Sequence, residues 1–548
     1  MTGVVIVTIH QRMANLFPAS IQAIPAEYRL DAPLVQTEYL LGGVIRTWSG
    51  AMQEVHSPVC IMEAGRPVPF LIGTVPSLTV AESLQALDAA CAAYDDGRGP
   101  WPTMPVRERI EHLNAFVWRM KEKRAAVVSI LMWEIGKTLP DAEKEFDRTV
   151  QYIIDSIDAL KGLDRASSRF EVKEGVIGMV RRAPLGVVLC MGPYNYPLNE
   201  TFTTLIPALL MGNTVIFKPA RQGVLLLSPL LEAFRDCFPP GVVNTVYGKG
   251  PVVIEPLMQS GRIDCLAFIG SSRVADDLKQ HHPQPHRLRS VLGLGAKNPA
   301  IILPDADLDL TVSECLLGSL SYNGQRCTAI KIIFVHESIA TRFLEGFVKA
   351  VEGLPCGMPW EQGVKITPLP VAGKPEQMAA WIADACARGA KVLNDGGGTI
   401  NGTYCHPAVV YPVAPGSELY EQEQFAPVVP VVPYRDISEA IRYIRESCYG
   451  QQASIFGTDP QQLAELVDPL ANQVCRVNLN CQCQRGPDSF PFTGRKDSAE
   501  GTLSVSDALR VFSIRTMVAT RSQPDNEAIL TDIVRNRRSS FLTTDFIF

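Results

Sequence analysis

Chemistry in this chain would begin at the run SLSYNGQRCTAIKI, where Cys327 follows Arg326 directly among small and apolar residues. Most of the other cysteines, of 14 in all, lie among aliphatic residues. An isolated cysteine is by default one more small buried hydrophobe, so Cys327 alone is either packing or a nucleophile. Other residues raise the same question. Asn195 stands between two tyrosines and two prolines in PYNYP, where it could cap a turn. Lys218 ends the apolar run NTVIFK and could be a solvated charge after a strand. Gly248 and Gly250 in GKG make only a broken dinucleotide fingerprint, because no third glycine follows at the required distance. His281, His282 and His286 in HHPQPH have Pro-rich flanks and no acidic or cysteine partners, which reads as a solvated loop. Cys481 and Cys483 in NCQCQ alternate as on a strand, and nothing joins them at metal-site spacing. No metal is expected.

The surrounding pattern says what holds these residues. From PVRERIEHLNAFVWRMKEK to EKEFDRTVQYIIDSIDAL the apolar residues recur at helical spacing with charges opposite. Short apolar runs then alternate with helical tracts: GVVLCMGP, NTVIFKPA, GVVNTVYG and CLAFIG. That order implies βαβ units and a parallel, doubly wound sheet, with ligands bound in the turns after the strands. A second series, from NPAIILPDADLD to QASIFGTDPQQLAELV, implies a second α/β domain.

The 548 residues carry a net charge of −6, which gives no electrostatic footprint for nucleic acid or an anionic membrane. An anion site must therefore be a local cluster of arginines. The scattered cysteines suit a reducing compartment, the N-terminal MTGVVIVTIHQRMANLF has neither a basic leader region nor a cleavage site, and a cytoplasmic location is expected.

GPYNYP, GNTVIFKPA, LGLGAKNPAIILPDADLDL and GQRCTA, in this order, resemble the aldehyde dehydrogenase superfamily, and QEQFAPVVPV and CQRGPDSFPFTGRKDSAEG extend the likeness. The resemblance covers about residues 100 to 515. It implies an α/β fold with a Rossmann-like cofactor domain (1–160 and 186–292), a catalytic domain (293–497), a small β bridging and oligomerisation segment (161–185 and 498–520) and a C-terminal arm (521–548). A homodimer or homotetramer is expected, since exposed edges in the bridging segment invite partner strands.

The resemblance makes Cys327 the nucleophile that forms a thioester, and Asn195 the oxyanion donor together with the Cys327 backbone N–H. Lys218 would hold the adenosine ribose, Glu423 the nicotinamide ribose, and Gly270 and Ser271 the pyrophosphate turn, with Gly248 in the weaker fingerprint nearby. Arg221 stands where NAD-preferring relatives often carry a glutamate, so NADP is favoured, with NAD possible. Arg148, Arg326, Arg485 and Tyr196 match positions of the non-phosphorylating glyceraldehyde-3-phosphate dehydrogenases, which implies a phosphorylated aldehyde as substrate.

One departure cuts across this. Where the family's ELGGK supplies a glutamate to activate water, this chain has Gly293, and Gly295 offers no carboxylate either. General-base assistance is worth roughly 10²–10⁴-fold. Three outcomes stay open: hydrolysis through another group, transfer of the acyl group to coenzyme A or another acceptor, and a deacylation-impaired or purely binding protein.

Overall fold

The computed structural model describes residue 13, residues 15–30 and residues 33–547, so the N-terminal apolar run falls almost wholly outside the described residues. Two sheets organise the molecule. The first has six strands in the order Val243–Thr245, Thr214–Lys218, Val187–Met191, Cys265–Ile269, Arg289–Gly293 and Ala499–Glu500, all parallel except the last. Val187–Met191 is buried at every position, as a central parallel strand covered on both faces must be. The second sheet has seven strands: Lys391–Val392, Ala408–Tyr411, Val428–Tyr434, Ile330–His336, Asn298–Ile302, Gln452–Phe456 and Arg476–Leu479. It is parallel apart from the short Lys391–Val392 edge. The parallel sheet read from the first series and the α/β domain read from the second are both borne out.

The chain leaves the first sheet at Gly293 and enters the second at Asn298, so LGAK is the crossing between them. A third, antiparallel sheet joins Glu171–Lys173, Val176–Pro184 and Ser513–Arg521. Ala499–Glu500, in the stretch assigned to bridging, instead closes the edge of the six-stranded sheet against Leu292 and Gly293. Strand Ser513–Arg521 leaves Ile514, Met517 and Val518 exposed. The arm forms the helix Pro524–Arg535, none of whose residues is buried. Beyond it, Arg181 donates to the carbonyls of Phe541 and Thr543 and ties the end of the chain back.

Two helices line one side of a cleft. The 29-residue helix Leu139–Ser167 starts at Thr138, whose hydroxyl accepts from the Asp141 N–H, with Pro140 in its first turn. Residues three and four apart share a helix face, and its Asp141, Lys144, Glu145 and Arg148 all line one cleft. Helix Asn199–Leu210 is buried along its whole length. Cys481 and Cys483 lie in the irregular segment after Leu479, not on a strand as their alternation suggested, and only Cys483 is fully buried. The strand stops there because Asn480 adopts a φ of 50°.

Candidate active site

A cleft of about 1200 Å³ opens between the ends of the two sheets, at the crossing where open α/β sheets bind ligands. Cys327, Asn195, Tyr196, Arg148, Arg326, Arg485, Arg221, Gly270, Ser271, Gly293 and Glu423 all line it. Lys218 and Gly248 are not among the lining residues. Lys218 ends its strand with Nζ on the Pro219 carbonyl, and burial pushes its pKa down to about 8. Gly248, at φ 129°, turns the chain beside the backbone of Leu78.

The loop that carries Cys327 is built against the backbone's own preference. Tyr322, Asn323 and Gly324 take φ values of 51°, 55° and 68°, a left-handed run that costs roughly 1–2 kcal/mol for each non-glycine residue. Buried Asn323 offsets this: its amide donates to the Thr367 carbonyl and hydroxyl, and its oxygen accepts from the Thr367 N–H at 2.9 Å. From the far side Lys331 donates to the Arg326 carbonyl at 2.6 Å and to that of Gly324 at 3.4 Å. Cys327 is thus presented from a turn that is pinned on both flanks.

Its thiol is not pre-activated. Burial pushes its pKa up to about 11, and the charges of Glu200 and Glu423 act in the same direction. Lys331 and a hydrogen bond from Gln451 oppose them and lose. At pH 7 only roughly one molecule in 10⁴ carries the thiolate. Alkylation by iodoacetamide, followed on the Cys327 peptide, should therefore rise about tenfold per pH unit between about pH 7 and pH 10, levelling near pH 11. A plateau already reached below about pH 8 would contradict this.

Asn195 is buried, and its Nδ2 donates to the Gln325 carbonyl at 2.7 Å, two residues before Cys327. One amide proton is spent there, and the second is available to an oxyanion. The Asn195 carbonyl accepts from Lys137 at 2.9 Å. Fully buried Lys137 also pairs with Glu145, and its ammonium lies 3.7 Å from the Tyr196 ring centre and 4.3 Å from that of Tyr322. Glu145 in turn accepts from the N–H groups of Leu198 and Asn199. A buried pair is retained when its remaining valences are met, as here. Its effect is to fix Asn195 and Tyr196 in place.

The other end of the cleft fits a dinucleotide. Gly270 follows strand Cys265–Ile269, and a Cβ there would lie 2.3 Å from the Phe268 ring. Ser271 caps helix Ser272–His281 by accepting from the Val274 N–H, so a helix N-terminus faces the cleft where a pyrophosphate would be favoured. Exposed Arg221 stands on the rim. Glu423 is paired with buried Lys331 at 3.1 Å. Its other oxygen lies 3.1 Å from where a Cβ on Gly295 would stand, so glycine at 295 makes room for this carboxylate. A Cβ on Gly293 would meet Ile269 and Leu503 at 3.3 Å.

The arginines share the cleft, but their partners were not foreseen. Arg148 makes a two-pronged pair with Asp488, Nε to Oδ2 at 2.8 Å and Nη2 to Oδ1 at 2.7 Å. Buried Arg485 pairs with Glu200, approaches Asp488 at 3.2 Å, donates to the Leu503 carbonyl at 3.3 Å and lies 4.5 Å from the Phe492 ring centre. Burial acts to raise the Asp488 carboxyl, yet hydrogen bonding from Arg148 and the charge of Arg485 hold it below the usual range. Arg326 is different: Nη2 donates to the Leu317 and Gly318 carbonyls, while Nε is buried without a hydrogen-bond partner. Sequence reasoning passed over Lys137, Glu145, Glu200, Lys331 and Asp488. The available signal was a charge inside an apolar run, as Glu200 is in PLNETFTTLIPALL and Lys331 in AIKIIF. Among the described residues no three His, Cys, Asp or Glu side chains gather as a metal site. His282 is buried with its ring on the Ile263 carbonyl and the Gln284 N–H, so HHPQPH is partly folded in and not wholly a solvated loop.

Comparison with known proteins adds to this geometry. Residues 69–518 match the model of the aldehyde dehydrogenase family. The chain is 32% identical over 457 residues to the NADP-dependent glyceraldehyde-3-phosphate dehydrogenase of Streptococcus equinus, covering 82% of this chain and 92% of that one. Identity to the Pisum sativum enzyme of the same name is 30% over 462 residues, 82% of this chain and 90% of the relative. Among solved structures, NADP-dependent glyceraldehyde-3-phosphate dehydrogenase from Bacillus halodurans C-125, complexed with NADP, superposes with a TM-score of 0.80 at 31% identity, over 89% of this chain and 100% of that one.

Proposed function

The chain belongs to the aldehyde dehydrogenase family, and we propose that it oxidises glyceraldehyde 3-phosphate to 3-phosphoglycerate through a thioester on Cys327. The observation that carries this reading is that Cys327, Asn195, Tyr196 and the three arginines line one cleft. The relatives named above support it, and NADP is the cofactor. Gly270 and Ser271 would hold the pyrophosphate of NADP, which would supply the hydride acceptor.

The residues of the chain do the rest. Cys327 adds to the aldehyde carbon once its thiol proton has passed to water in the cleft, since the sulfur is protonated at neutral pH. The second Nδ2 proton of Asn195 and the Cys327 N–H receive the developing oxyanion. Arg326, with Nε unpartnered, is the arginine readiest to take the phosphate, with the Nη1 of Arg148 and the Tyr196 hydroxyl beside it. Arg485 contributes from behind, through Glu200 and Asp488. Arg221 on the rim suits the 2′-phosphate of NADP. Acyl transfer to coenzyme A or another acceptor is the second reading, favoured by the one observation that Gly293 carries no base. A reducing, cytoplasmic setting fits cysteines scattered through apolar segments and not spaced as a disulfide framework, and assembly into a dimer or tetramer fits the exposed Ser513–Arg521 strand.

The test is Arg326→Gln. Loss of charge-assisted bonds worth about 1.5–3 kcal/mol should raise KM for glyceraldehyde 3-phosphate roughly 10–100-fold. For unphosphorylated glyceraldehyde, kcat/KM should stay within about threefold. Equal losses on both aldehydes would remove the phosphate from the reading.

A further inference from the structure

Four carboxylates line the cleft: Asp141, Glu145, Glu200 and Glu423. Three are already committed. Asp141 accepts from the Thr138 hydroxyl at the start of its helix. Glu145 is consumed by Lys137 and by the N–H groups of Leu198 and Asn199. Glu423 is paired with Lys331 and faces the cofactor end beside Gly295. Glu200, in the first turn of helix Asn199–Leu210, has Oε2 on Arg485, while Oε1 accepts no hydrogen bond among the described residues. It is the carboxylate whose charge most strongly affects the Cys327 sulfur. An arginine that grips one oxygen of a carboxylate holds the other in a fixed direction.

We propose that Glu200 is the general base that hydrolyses the Cys327 thioester, in place of the carboxylate that Gly293 lacks, with Arg485 as its positioning residue. The proposal rests on the thioester reading above. In the step, a water oxygen bonds to the thioester carbonyl carbon as its proton passes to Glu200 Oε1. The carbonyl π pair moves to oxygen, where Asn195 and the Cys327 N–H receive it. Collapse of the tetrahedral species breaks the C–S bond, the electron pair leaves on Cys327 sulfur, and Glu200 returns the proton to that sulfur, whose pKa of about 11 favours taking it. The carboxylic acid product then ionises to solvent. No oxidant or reductant is needed.

The experiment compares wild type with Glu200→Gln, which keeps the shape and an oxygen for Arg485 but cannot take the proton. Full-length enzyme is rapidly mixed with NADP and either glyceraldehyde 3-phosphate or glyceraldehyde, and NADPH is followed before and after the first turnover. In the variant the NADPH burst should remain near one equivalent per subunit, while the steady state falls about 10²–10⁴-fold. Hydroxylamine, which cleaves thioesters without a base, should restore turnover in Glu200→Gln and leave wild type nearly unchanged; a variant impaired only in folding or in thiol placement would not be rescued. A steady state equal to or above wild type, or a burst lost with the steady state, would overturn the role. So would a wild type that forms its burst and then stalls. If the burst appears with glyceraldehyde but not with its phosphate, the substrate reading fails while the Glu200 comparison still stands on glyceraldehyde. If neither aldehyde gives a burst, both readings fall.

Discussion

Replacement of Cys327 by alanine should abolish NADPH formation from glyceraldehyde 3-phosphate, a fall of roughly 10⁵–10⁶-fold in kcat, comparable to removal of a nucleophile elsewhere. The size follows from the route. Without the sulfur there is no thioester, and the remaining cleft offers only orientation and Asn195. Loss of fold is not a competing explanation, because Cys327 contributes a half-buried thiol with Gln451 as its hydrogen-bonding neighbour and no ion pair. Alanine should shift the melting temperature little. The check is stopped-flow absorbance of NADPH beside a thermal melt of the same preparation. Retention of even about one-hundredth of wild-type turnover would assign the nucleophile elsewhere among the 14 cysteines.

Asn195→Asp should cost about 10²–10³-fold in kcat, by replacing an oxyanion donor with an acceptor of the same shape. Alanine and aspartate alike remove the donor of the Gln325 carbonyl, now 2.7 Å from Nδ2, at about 1–3 kcal/mol. Aspartate fails in a more specific way: its charge would repel both the Gln325 carbonyl and the developing oxyanion. Both the NADPH burst rate and the later steady state should fall, since the same donor serves addition and collapse. A variant slowed only after the burst would confine Asn195 to deacylation.

The two sheets were legible because each buried strand is a short apolar run of its own, from GVVLCMGP to QASIFG. Cys327 and Asn195 were singled out because their flanks, NGQRCTA and PYNYP, match family motifs, and both line the cleft. What the sequence hid was pairing. Arg485 and Glu200 are far apart in the chain, and no spacing rule brings a guanidinium on an irregular segment to a carboxylate on a buried helix. Lys137 and Glu145 are closer, but the partner that matters to Lys137 is the Asn195 carbonyl, a backbone atom with no side-chain signature. Lys218 was assigned through its match to the family motif; it ends its strand with Nζ on the Pro219 carbonyl, and it is not among the residues that line the cleft. NCQCQ failed for another reason: its alternation mimics a strand, but Asn480 turns the backbone into the left-handed region first.

The central claim is that a phosphorylated aldehyde is oxidised while joined to Cys327. Acid quenching during turnover with glyceraldehyde 3-phosphate and NADP, followed by mass spectrometry of the proteolysed enzyme, tests it directly. The account predicts the mass of one 3-phosphoglyceroyl group on the Cys327 peptide, accumulating further in Glu200→Gln and absent from Cys327→Ala. Sustained NADPH production with no acyl group on that peptide in any of the three proteins would contradict it.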